Sequence, residues 1–113
     1  MELKSVNNSL SPSQLQLNSL LEHYQNGRYD EAERLAISIT KQFPNDQFSW
    51  KVLGAVLKQT GRMSEGVIAS QKAVEINPKD AESHSNLGAA LQDLGRLEEA
   101  TVSYRKGIAL KPN

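Results

Sequence analysis

Two histidines, His23 and His84, are the only imidazoles in this 113-residue chain, and no cysteine accompanies them. An imidazole shuttles protons or binds a metal when carboxylates or further ligands converge on it. Neither histidine has an acid nearby at triad or metal-ligand spacing, so a three- or four-ligand zinc site cannot be read from them. Paired acids occur at Asp30, Glu31 and Glu33, and again at Glu98 and Glu99. General acid–base catalysis needs carboxylates that converge on a pocket. These instead fall in the first turn of predicted helices, where the positive end of the helix dipole favours them. Gly27, Gly61 and Gly95 are isolated and build no phosphate loop. No Ser/His/Asp or Cys/His arrangement can be assembled. The expectation is a chain without catalysis, metal or cofactor.

Chemistry of a different kind is offered by Lys51 and Lys58, seven residues apart, which suit a carboxylate or an acidic side chain, and by amides such as Gln59 and Gln92, which suit a peptide main chain. The charge is spread too evenly for a nucleic-acid stripe. Thirteen basic residues balance thirteen acidic ones, which gives no global drive toward nucleic acid or an anionic membrane. No run of about 18 apolar residues exists to span a bilayer. The polar stretch 1–10 has no apolar signal core and reads as a disordered lead. Lacking cysteine, the chain is compatible with a reducing compartment, and a cytoplasmic location is expected.

The elements that must position these groups follow from a period. Pro44, Pro78 and Pro112 are spaced by 34 residues, and so are Gly27, Gly61 and Gly95, each glycine being followed by arginine. Three units result, 13–46, 47–80 and 81–113. Within a unit apolar residues recur at three and four, the spacing of an amphipathic helix. Leu87, Ala90, Leu91 and Leu94 make one stripe; Leu97, Ala100, Tyr104 and Ile108 make a second. The glycine between stripes ends one helix in a left-handed turn, and the proline stops the next. The pattern predicts helices at 12–25, 29–42, 46–59, 63–76, 80–93 and 97–110.

A period of 34 with Trp50, Leu53, Gly54, Leu57, Gly66, Ala73 and Pro78 in the second unit resembles the tetratricopeptide repeat. The third unit matches with His84, Leu87, Gly88, Leu91, Ala100, Tyr104, Gly107 and Pro112. The resemblance covers residues 13–113. It implies an all-α fold: a right-handed α-solenoid of three antiparallel helix-turn-helix units, six helices in one domain over 11–113. The implied role is binding a protein or peptide, without nucleic acid or membrane.

Glycine inside a helix costs about 1 kcal/mol against alanine, so Gly54 and Gly88 are expected where two helices cross closely. Ala32, Gly66 and Ala100 would oppose them, and Ala73 and Gly107 would admit the next unit. His84 takes the slot of Trp50 and reads as a packing residue, while His23 reads as a surface or interface residue.

The first unit departs from the pattern, with Ser19 and Leu20 replacing Leu-Gly and a stripe of Leu17, Leu20, Leu21 and Tyr24. Its entry reads as an N-cap at Ser11, Pro12 in the first helical position and Gln14 as capping-box partner, with Leu10 stapled onto Leu15. At the other end Val102, Ile108, Ala109 and Leu110 are expected to form an uncovered apolar edge. Either the chain is a fragment of a longer array, or it self-associates through the uncapped C-terminal repeat.

The resemblance also implies a binding groove lined by the first helix of each unit. Carried over, its positions are Gln14, Leu17, Leu21, Tyr24 and Gln25, then Phe48, Lys51, Ala55, Lys58 and Gln59, then Glu82, Ser85, Ala89, Gln92 and Asp93. Leu17, Leu21 and Tyr24 stay open between groove and core. Asn86 joins the candidates through an asparagine ladder found in arrays preceding glycosyltransferase domains, which Asn18 shares and Val52 interrupts. The candidate site is Lys51, Ala55, Lys58, Gln59, Ser85, Asn86, Ala89 and Gln92. Three roles are compatible with it: a protein-binding scaffold, a substrate-positioning segment of a larger glycosyltransferase or sulfotransferase, and a self-assembling unit.

Overall fold

A computed structural model describes residues 11–111. Among them are six helices in simple succession: α1 (Gln14–Gln25), α2 (Tyr29–Gln42), α3 (Gln47–Gln59), α4 (Met63–Ile76), α5 (Ala81–Asp93) and α6 (Leu97–Leu110). The second helix of each hairpin spans the residues predicted from the pattern. The first helices start one or two residues later than expected, because Ser13, Asp46 and Asp80 take the extended backbone of an N-cap and stand outside the first turn.

At the start of α1 the cap is Ser13, not Ser11. Its Oγ accepts from the Gln16 amide at 3.1 Å, and the Gln16 side chain accepts from the Ser13 amide at 3.0 Å. This is the reciprocal capping box, with Gln16 in the place expected of Gln14. Leu10, the expected staple, lies outside the described residues, as does the expected lead, 1–10.

Each hairpin turn is built the same way. Gly27, Gly61 and Gly95 have φ between 73 and 81°, the left-handed conformation that a Cβ disfavours. The following arginine amide reaches back to the carbonyl of His23, Leu57 or Leu91 at 2.8–2.9 Å. These backbone bonds satisfy carbonyls that the helix end would otherwise leave open.

The helices of a hairpin cross where side-chain size is traded between partners. A Cβ on Gly54 would stand 2.9 Å from Ser70 Oγ, and one on Gly88 would stand 3.0 Å from the Tyr104 ring. Leu20 occupies the register of these glycines in the first unit, and Ala36 that of Ser70 and Tyr104; both are fully buried in one cluster. The pairs run Leu with Ala, Gly with Ser, Gly with Tyr. Gly66 faces Gly54 as expected. At Gly107 a Cβ would meet Ser85 Oγ and the Ala81 carbonyl of its own hairpin, at 2.9 and 3.1 Å, so this glycine lets α6 lie close on α5.

Successive hairpins nest, α2 on α3 and α4 on α5, with α1 and α5 also touching α3. One apolar cluster, centred on Leu20, Ile39 and Val56, joins the first two hairpins. A second joins α4 to the last hairpin through Val67, Ala90, Leu91 and Ala100. The Cα radius of gyration is 15.0 Å, above the roughly 13 Å of a compact domain this long, as expected of a stack in which each unit meets only its neighbours. No described helix is long and apolar enough to cross a membrane.

The expected apolar edge divides in two. Val102 is exposed, but so is Ile68 at the same register of the middle hairpin; that position faces outward in any unit. Ile108 and Leu110 differ, since their counterparts Val74 and Ile76 are half-buried.

Candidate interaction groove

The groove is built by α3 and α5 and is tied at both ends by ion pairs. Lys51 Nζ lies 3.0 Å from Asp80 and 2.5 Å from Glu82, at the start of α5. Lys58 Nζ lies 3.7 Å from Asp93, the last residue of α5. Between these ties Ala55 and Ala89 keep the two helices' surfaces low. The result is a hollow of about 180 Å³, lined among others by Tyr24, Lys51, Ala55, Lys58, Gln59, Asn86 and Ala89.

Six of the eight candidate residues thus share one concave surface. The other two do other work. Ser85 lines a separate depression with Gly107 and Ile108 on the outer face of the last hairpin. Gln92 accepts a hydrogen bond from the Tyr104 hydroxyl at 2.9 Å. The lining also includes Gly54, Ser70 and Ala90. Ser70 belongs to a second helix and reaches the hollow because Gly54 puts no side chain in front of it. The signal that could have found it is the Gly54–Ser70 pairing across the hairpin. Tyr24 serves both groove and core, lining the hollow while packing on the first cluster.

The electrostatics differ from the sequence expectation. Burial opposes the charge on Lys51, but hydrogen bonds to Glu82 and Asp80 outweigh it and hold its pKa above the ordinary value. Burial likewise opposes the Asp80 carboxylate, and hydrogen bonds from Ser83 and Lys51 pull its pKa below the usual value. Lys51 is therefore committed to acids of the next hairpin, Lys58 lies more loosely opposite Asp93, and the rest of the hollow offers a ligand amides, small surfaces and one phenol ring. The asparagine ladder is not formed: Val52 is buried and Asn18 accepts from the Gln14 amide at 3.0 Å.

The histidines are accounted for. His84 is buried and its Nε2 lies 2.6 Å from the Pro78 carbonyl; since that carbonyl only accepts, Nε2 carries the proton. Trp50 Nε1 donates in the same way to the Pro44 carbonyl at 2.8 Å. His23 Nδ1 accepts from Arg28 Nε at 3.0 Å. Among the described residues no three His, Asp or Glu side chains group so as to hold a metal.

Family models described as tetratricopeptide repeat match residues 49–80 and 81–113, together more than half of the chain. The chain belongs to the tetratricopeptide repeat family. The matched segment starts after the first unit, in which Leu20 replaces the repeat's glycine. No curated protein matches the chain in sequence. Solved tetratricopeptide structures share the fold. MamA of MSR-1 has a TM-score of 0.80 at 20% identity, over 97% of this chain and 62% of that one. The Thermobaculum terrenum O-GlcNAc transferase (a K341M mutant) has 0.84 at 20%, over all of this chain and 21% of that one. The second tetratricopeptide domain of Spaghetti (RPAP3), bound to the HSP90 peptide SRMEEVD, has 0.80 at 14%, over 84% and 88%. The chain spans about three-fifths of the length of MamA.

Proposed function

We propose that this chain is a protein-interaction scaffold that receives an extended, largely uncharged segment of another polypeptide along the hollow between α3 and α5. The observation that carries the reading is the paired set of ties. With Lys51 held by Asp80 and Glu82 and Lys58 facing Asp93, both cations of the groove are matched by carboxylates of the chain itself. A ligand carboxylate would have to displace a protein carboxylate to reach either lysine, a poor exchange in free energy. The Gln59 and Asn86 amides, in contrast, match the donors and acceptors of a peptide main chain. The fold shared with a peptide-bound tetratricopeptide domain supports peptide binding in general; the preference for a neutral segment rests on this chain's own pairs. The reading assigns the chain no catalysis and sets it in the cytoplasm, where a cysteine-free protein loses nothing to a reducing environment. Within a larger enzyme the same groove would position a polypeptide substrate.

Selection of a random peptide library on the immobilised 113-residue protein tests this. Selected peptides are expected to be poor in Asp and Glu and to bind equally as C-terminal acids or amides. Their affinity should fall at least tenfold in an Ala55→Arg/Ala89→Arg variant of unchanged helicity. Peptides that bind this variant as well as the parent, or that require a free carboxylate, would overturn the assignment.

A further inference from the structure

The joint between the second and third hairpins defines what a hairpin needs from its successor. At one contact Gln47 Nε2 donates to Ser83 Oγ at 2.9 Å, and Ser83 is fully buried. At the next, Lys51 meets Asp80 and Glu82, and at the third Lys58 meets Asp93. Advancing by one period, the outer face of the third hairpin presents Ala81 for Gln47, Ser85 for Lys51 and Gln92 for Lys58. The outer face of the first hairpin, at the registers of Ser83, Glu82 and Asp93, presents Leu15, Gln14 and Gln25.

Set against each other, these two faces are complementary at each contact. Where the internal joint pairs a large amide with a small hydroxyl, the outer faces pair a small Ala81 with a large Leu15. Each lysine–acid pair becomes a neutral pair, Ser85 with Gln14 and Gln92 with Gln25. The exposure agrees with the register. Leu15 is 76% exposed, although its counterparts Ser49 and Ser83 are buried. Ile108, 70% exposed, borders a depression of about 520 Å³ with Ala81, Ser85 and Gly107, rimmed by Glu82 and Lys111, where such a leucine would enter. Among the described residues α6 packs on α5 alone.

We infer that a second copy of this chain docks its first hairpin on the third hairpin of the first, Leu15 entering the depression beside Ile108, so that the solenoid continues from copy to copy. The contact is heterologous, one face meeting a different face, and such contacts propagate into rings or open filaments. It uses the two ends of the array and leaves the hollow between α3 and α5 free.

Sedimentation velocity of the 113-residue protein across a micromolar to millimolar range tests the joint. The average mass is expected to rise with concentration past that of a dimer. Leu15→Glu and Ile108→Glu, both at exposed positions, should each be monomeric with unchanged circular dichroism. Mixed in equal amounts they should form a complex of twice the monomer mass and no larger, since each supplies the one face that the other has lost. A parent protein monomeric throughout would overturn the inference. So would a Leu15→Glu variant that assembles like the parent, or a mixture that stays monomeric. Peptide binding in the groove should be the same in both variants, so a failure of the joint is separable from a failure of the groove.

Discussion

Lys51 on α3 and Asp80 at the head of α5 are joined by a 3.0 Å ion pair across a hairpin boundary, and Ser83 donates to the same carboxylate oxygen at 2.7 Å. The pair couples two repeats, together with the Gln47–Ser83 hydrogen bond and the Lys58–Asp93 contact, and it occupies the lysine that the sequence offered a ligand.

Lys51→Ala would leave Asp80 half-buried without its cation. It should destabilise the protein by about 1–3 kcal/mol, whereas Lys51→Ala with Asp80→Ala should cost less than the two single changes added together. A double-mutant cycle in urea measures the coupling, which should be positive.

The same pair sets two pH limits. Asp80 has a lowered pKa in the folded state. Its contribution is therefore present above the ordinary carboxylate value of 3.8 and is lost as pH falls through the lower, folded value. Lys51 has a raised pKa, so its contribution is present below 10.5 and is lost as pH rises through the higher, folded value. The melting temperature of Lys51→Ala relative to the parent should differ most at neutral pH, and the difference should shrink at both extremes.

The traded sizes at the helix crossings predict a rescue. Gly88→Leu should cost at least about 2 kcal/mol, since the side chain would run into the Tyr104 ring. Adding Tyr104→Ala should recover much of that, because the pair then repeats Leu20 and Ala36 of the first hairpin. Chemical denaturation of the single and double variants reads the difference. A double variant less stable than Gly88→Leu alone would refute the equivalence.

His84→Phe removes the donor to the Pro78 carbonyl while filling most of the space. The expected loss is about 1 kcal/mol, the net worth of a part-buried hydrogen bond. Trp50→Phe should lose the corresponding bond to Pro44 with a smaller effect, because Trp50 is only half-buried. Urea midpoints of the two variants rank them.

At Gly61 a substitution isolates a backbone effect. No atom lies within 4 Å of the place a Cβ would take, yet φ is +81°. Gly61→Ala should therefore cost about 1–2 kcal/mol through the left-handed conformation alone, and Gly61→Asn should cost less, since asparagine tolerates that region better. Thermal denaturation of both variants checks the order.

Period, punctuation and amphipathic spacing were enough to determine six helices, their pairing into hairpins, the turn glycines and the packing role of His84, because these depend on contacts close in sequence. The cap of α1 was misplaced by two residues, since Ser11 and Ser13 are both capping residues and the choice depends on where the helix docks. Only the tertiary structure decided the state of the groove. Lys51 and Lys58 look like free cations along one helix face, and their partners lie about thirty residues away on the next hairpin. It also separated Ser85 and Gln92 from the hollow and brought in Ser70. Which neighbour a side chain meets is set by how far each hairpin is rotated and shifted on the last, and that is fixed by the sizes of buried side chains acting together, which no single register of the sequence contains.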